Sequence, residues 1–102
     1  MNELRLTPRL PVHLSVRYQD GSDLAASYIR SLSCGGVFIR TSRPLPIGTE
    51  LVMEIHLEET QPICVRGKVV WGRLAGRDDG MGVAFQEELP ERLKNLLTAK
   101  VA

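Results

Sequence analysis

At 102 residues, with 43% apolar residues spread along its length, the chain has the size of one domain with one modest core. Its formal net charge of +1, from 13 basic and 12 acidic residues, is no field for general nucleic-acid binding, and no apolar run approaches a membrane-spanning length. The opening Met1-Asn2-Glu3-Leu4-Arg5 lacks the charged-then-apolar order of a signal peptide, so a cytoplasmic protein is expected.

Residues 1–10 precede any alternating pattern and read as a flexible arm carrying Arg5 and Arg9; residues 11–102 read as one domain. In residues 11–18, Val12, Leu14, Val16 and Tyr18 alternate with His13, Ser15 and Arg17, the period of a half-buried strand. Asp20-Gly21 is a turn signal, and residues 24–31 form a second, less cleanly patterned strand. Ser33-Cys34-Gly35-Gly36 breaks it, and residues 37–41 make a third. After the bend Pro44-Leu45-Pro46-Ile47-Gly48, residues 49–57 set Leu51, Met53, Ile55 and Leu57 against Val52, Glu54 and His56.

A polar loop over residues 58–62 leads to a fifth strand, 63–73. There Ile63, Val65, Val69 and Trp71 share one phase, opposite Cys64, Arg66, Lys68 and Val70, and Gly67 suits a bulge or bend. By that phase alone Trp71 reads more often as core than as surface. A turn at 76–80 precedes a last strand, 81–86, with Met81, Val83 and Phe85 in phase. Beyond Pro90, placed to start a helix, Leu93, Leu96, Leu97 and Val101 fall at helical spacing over residues 91–101. The pattern predicts an all-β fold: a six-stranded antiparallel barrel, closed so that no strand edge stays open, with a C-terminal α-helix.

Nothing supports an enzyme or a metal cofactor. Cys34 and Cys64 read as free thiols, and no Cys/His spacing matches a zinc site. His13 and His56 lie on the polar phase of separate strands, Asp78-Asp79-Gly80 is too short for a calcium loop, and there is no Gly-rich phosphate loop with Lys. Ten of the 13 basic residues are Arg, the side chain suited to bidentate phosphate contacts and to stacking on flat rings; an ordinary surface reads the same way.

Two features stand outside the barrel pattern: Arg5-Leu6-Thr7-Pro8-Arg9 on the arm, and Ser31-Leu32-Ser33-Cys34-Gly35-Gly36 between two strands. In order and spacing they resemble the R-x-x-x-R and D/N-x-S-x-x-G signatures of the PilZ family, as do Gly67-Lys68-Val69-Val70-Trp71 and Gly80-Met81-Gly82-Val83-Ala84-Phe85. The resemblance implies a PilZ-like barrel that binds cyclic di-GMP and relays its level to a protein partner through ordering of the arm. By position, Arg5 and Arg9 would grip phosphates and guanines, Ser33 would hydrogen-bond, and Gly35 and Gly36 would let the loop backbone approach. Trp71 would offer a stacking platform, the alternative being a core role. Leu4, standing before the arm motif, favours one ligand per chain.

Ser31 departs from the pattern, which has Asp or Asn there. A serine in place of a charge-assisted acceptor forgoes about 1.5–3 kcal/mol, so an adaptor that no longer binds the nucleotide stands as the alternative. A single-stranded nucleic-acid binder would want several exposed aromatics on one face, and several of the five aromatics are in core phase. The expected state is a monomer or weak homodimer, with neither nucleic acid nor membrane as partner.

Overall fold

A strand with one apolar face must bury that face, and six such strands do so most completely by closing on themselves. The computed structural model describes residues 10–20, 23–57, 61–74, 76 and 79–95. Its strands are β1 (Leu10–Asp20), β2 (Asp23–Leu32), β3 (Gly36–Arg40), β4 (Glu50–His56), β5 (Ile63–Arg73) and β6 (Gly80–Phe85). All pairings are antiparallel, and the closed order is β1-β2-β3-β6-β5-β4. The seam between β1 and β4 joins Ser15–Tyr18 to Met53–His56. Among the described residues no helix is long and apolar enough to cross a membrane.

The inward phase supplies the core: Val16, Ile29, Ile39, Met53, Ile55, Val65, Val69, Met81 and Val83 are all buried. Gly67 also points inward, where a Cβ would sit 2.5 Å from Val83 Cγ1 and 3.0 Å from Met53 Cε; a side chain there would overfill the barrel. Leu89 and Leu93 join the same core from the C-terminal side. Residues 91–95 are helical, and the Leu93 and Lys94 amides donate to the Pro90 carbonyl at 3.0 and 3.1 Å, so the helix starts where Pro90 implied. Its expected continuation through Leu96, Leu97 and Val101 lies outside the described residues, as does the arm with Arg5 and Arg9. Cys34 and Cys64 are free and exposed.

Among the described residues the ladder is interrupted between Pro11 and Leu14 in β1, Ile29 and Ser31 in β2, and Val69 and Trp71 in β5. The last overturns the expected core phase of Trp71. Val69 pairs with Val83 but Trp71 pairs with Gly82, so Val70 is the extra residue of a bulge and everything after it changes face. Trp71 is accordingly 41% exposed on the outside of the barrel.

Candidate functional site

The turn between β2 and β3 is built by its own backbone and one hydroxyl. The Ser33 amide donates to the Gly36 carbonyl at 2.9 Å; its Oγ donates to the same carbonyl at 3.4 Å and accepts from the Gly35 amide at 3.3 Å. Ser33 is 2% exposed, so its hydroxyl holds the turn from inside. Phe85 donates its amide to the Gly35 carbonyl at 2.9 Å and ties the turn to β6. The close approach that Gly36 permits is to β6 as well: a Cβ there would lie 2.3 Å from the Val83 carbonyl oxygen. Gly35 is different. It is exposed, a Cβ on it would meet nothing within 4 Å among the described residues, and its φ is not positive, so packing among those residues does not require glycine at that position.

Ser31 stands half-buried beside this turn, paired with Pro11 of β1 on one side and Phe38 of β3 on the other. From Phe38 the outer row continues through Gly82 of β6 to Trp71 of β5. The two rings lie on glycines. A Cβ at Gly82 would be 2.2 Å from Trp71 Nε1, and one at Gly80 would be 2.4 Å from Phe38 Cζ. Glycine on an outward strand position leaves a bare stretch of sheet that a neighbouring aromatic can cover. Phe38 and Trp71 are parallel within 13°, with centroids 5.3 Å apart. The Arg73 guanidinium carbon lies 5.4 Å from the Phe38 centroid and 5.7 Å from that of Trp71, a cation–π distance to both.

The β5 bulge thus brings Ser31 and Trp71 into one outer row with Phe38 between them, while Ser33, Gly35 and Gly36 shape the turn at its end. The sequence reading missed Phe38, Arg73, Gly80 and Gly82. The available signal was the Gly-x-Gly spacing in β6: both glycines fall on the phase opposite Met81, Val83 and Phe85. Of the aromatics, Phe38 is only 8% exposed, and Tyr28 and Trp71 are the exposed ones. Tyr18 is buried and Phe85 packs against the core, but Tyr28, Phe38 and Trp71 are outside the core cluster. Leu10 pairs with Leu32 and Pro11 with Ser31, so the chain enters β1 directly beside this row.

The PilZ domain profile matches residues 3–102. No curated protein matches the chain by sequence. Among solved structures, the fold is similar to that of the Bacillus subtilis inhibitor of motility MotI/DgrA, with TM-score 0.73 and 20% identity over 91% of this chain and 47% of that one. It is similar to the PilZ domain of Escherichia coli YcgR with c-di-GMP, with TM-score 0.66 and 13% identity over 89% of this chain and 84% of that one. It is also similar to Borreliella burgdorferi PlzA in complex with c-di-GMP, with TM-score 0.65 and 18% identity over 92% of this chain and 42% of that one. The chain spans about half the length of MotI/DgrA and rather less of PlzA. At these identities the likeness is one of fold.

Proposed function

Because the chain belongs to the PilZ family, we propose that it is a cyclic di-GMP receptor whose ligand lies on the outer row Ser31–Phe38–Trp71 and is clasped by Arg5 and Arg9. PilZ domains are regulatory binding domains, and the reading needs no catalytic group. The observation that carries it is the outer row Ser31–Phe38–Gly82–Trp71, whose Ser31 end pairs with Pro11 beside the entry to β1.

Each part has a physical task. Trp71, parallel to Phe38 and 41% exposed, presents a flat face to a guanine, a contact worth about 1–3 kcal/mol per base. Gly35 leaves the crest of the turn open to a close ligand approach. Arg9 adjoins Leu10 directly, and Arg5, five residues from Leu10, can reach at most about 18 Å. Both guanidiniums therefore stay within reach of a ligand on the row, for bidentate contacts to phosphate or stacking on purine. Closing the arm over the nucleotide changes the surface shown to a protein partner, a recognised switching device.

The adaptor reading keeps one observation in its favour: Ser31, where the family has a stronger acceptor. Calorimetric titration with cyclic di-GMP decides between them. Heat of binding that is lost in Arg9→Ala and Trp71→Ala is the expected result, and Ser31→Asp should bind more tightly than the parent. No heat and no rise in melting temperature at high ligand, in parent and Ser31→Asp alike, would make the protein an adaptor.

A further inference from the structure

Resting on the receptor reading, we infer that Arg73 makes the platform selective for guanine. Beside a base stacked on Trp71, its guanidinium donates a bidentate pair of hydrogen bonds to the O6 and N7 edge.

The position of Arg73 follows from the bulge in β5. Regular alternation from Val69 would turn both Trp71 and Arg73 into the barrel. The extra residue Val70 turns both outward instead, where Trp71 pairs with Gly82 and Arg73 with Gly80 of β6. Residues two apart on one face of a strand lie about 7 Å from each other, close enough for one bicyclic base to meet both. Phe38 completes the arrangement from β3. It pairs with Gly82 on its own side, its ring runs over Gly80, and it is only 8% exposed.

Phe38 holds both neighbours in place. Its ring is parallel to that of Trp71 within 13°, and the Arg73 guanidinium carbon is 5.4 Å from its centroid and 5.7 Å from that of Trp71. Nearly equidistant, the guanidinium bridges the ring pair and is centred on neither, so it does not take the place of a base on Trp71. A planar fork already held against rings loses little freedom when its N–H groups find acceptors.

The acceptors that suit this fork identify the base. Guanine presents O6 and N7 side by side, at the spacing a bidentate arginine matches. Adenine presents N7 beside an N6 amino group, whose hydrogens face those of the guanidinium. Stacking on Trp71 tolerates any base, so selectivity falls to the group beside it.

The test is calorimetry on the full chain, Arg73→Ala and Arg73→Lys with three ligands: cyclic di-GMP, cyclic di-AMP, and the 7-deazaguanine analogue of cyclic di-GMP, which lacks the N7 acceptor. Arg73 is exposed, so both variants should melt close to the parent. The parent should prefer cyclic di-GMP to cyclic di-AMP by about ten- to hundred-fold. Arg73→Ala should lose that preference through weaker cyclic di-GMP binding, with cyclic di-AMP unchanged. Arg73→Lys keeps the charge without the fork and should lose it too. The 7-deaza analogue should bind more weakly than cyclic di-GMP to the parent and equally to Arg73→Ala. An equal loss of both nucleotides in Arg73→Ala would make Arg73 a phosphate or packing contact and overturn the assignment, as would undiminished preference in that variant. A parent that binds both nucleotides alike would also overturn it while leaving the receptor reading in place. A folded parent that binds neither would overturn the receptor reading, and this assignment with it.

Discussion

Adjacent glycines in the β2–β3 turn are glycine for different reasons, and substitution separates them. At Gly36 an added Cβ meets the Val83 carbonyl oxygen at 2.3 Å, and a backbone atom in a paired strand cannot swing aside. Gly36→Ala should therefore part β3 from β6 and cost about 1–3 kcal/mol, as overpacking does. Gly35→Ala meets open space at an ordinary backbone angle, so its melting temperature should match the parent's. If the turn crest touches the nucleotide, Gly35→Ala should still weaken cyclic di-GMP binding. Thermal melts with and without ligand read both effects, and a destabilised Gly35→Ala would show that the fold itself needs that glycine. The motif residues were legible in the sequence as a spacing, but their tasks were not. Within the fold, Ser33 hydrogen-bonds inside its own turn and Gly36 makes a close approach to β6, neither of which the motif spacing indicates.

At the level of elements, period-two alternation located the first, fourth, fifth and sixth strands, because one face of each packs into the barrel, while the breaks around residues 24–31 and 37–41 marked the other two. It failed at Trp71 for a definite reason. Val70 and Trp71 are both apolar, so the pattern fits a regular strand and a bulged one equally well. The bare Gly82 opposite Trp71 marks the bulged alternative, and that information lies in another strand. An outward Trp71 makes a clear prediction: Trp71→Ala forfeits its pairing with Phe38, about 0.5–1.5 kcal/mol beyond the area the ring covers, and in total less than the roughly 3–5 kcal/mol of a fully buried tryptophan. Chemical denaturation of the variant measures the difference, and a loss in the upper range would return Trp71 to the core. The C-terminal element carries a pH dependence of its own. Lys94 hydrogen-bonds Glu88 at 2.7 Å; that bond first, and charge second, hold the Glu88 carboxyl below its usual range. A depressed carboxyl contributes fully above its unfolded pKa and is lost as pH falls through the folded one. The same bond holds the Lys94 ammonium above its usual value, so that contribution is complete below its unfolded pKa and is lost only as pH rises through the folded one. The tie is thus intact at neutrality and opens on acidification through Glu88. Because both groups sit at the surface, the effect is local: the Leu93 and Lys94 amide signals should shift in acid while the barrel stays folded. Amide signals unchanged through the carboxylate range would show that the tie does not form in solution.

For the whole molecule, the division of labour between barrel and arm gives the most direct test of the proposed switch. Among the described residues the core cluster draws on β1 to β6 and on Leu89 and Leu93, and the ladder of β1 runs from Leu10. Removing residues 1–9 takes away none of these contacts but does take away Arg5 and Arg9. The truncated chain should melt at the parent's temperature without ligand. With ligand the two should part. A ligand at one hundred times its dissociation constant stabilises the folded state by about 2.7 kcal/mol, so the parent's melting temperature should rise clearly with cyclic di-GMP. The truncated chain keeps the Trp71 platform and the turn, and loses two charge-assisted contacts worth about 1.5–3 kcal/mol each. At the same ligand concentration its shift should nearly vanish. The parent's shift should also fall with added salt, because guanidinium–phosphate contacts outside the core are screened. A truncated chain that melts lower without ligand would make residues 1–9 part of the fold and remove the switch. Equal ligand shifts in the two chains would place recognition wholly on the barrel face, with the arginines as bystanders.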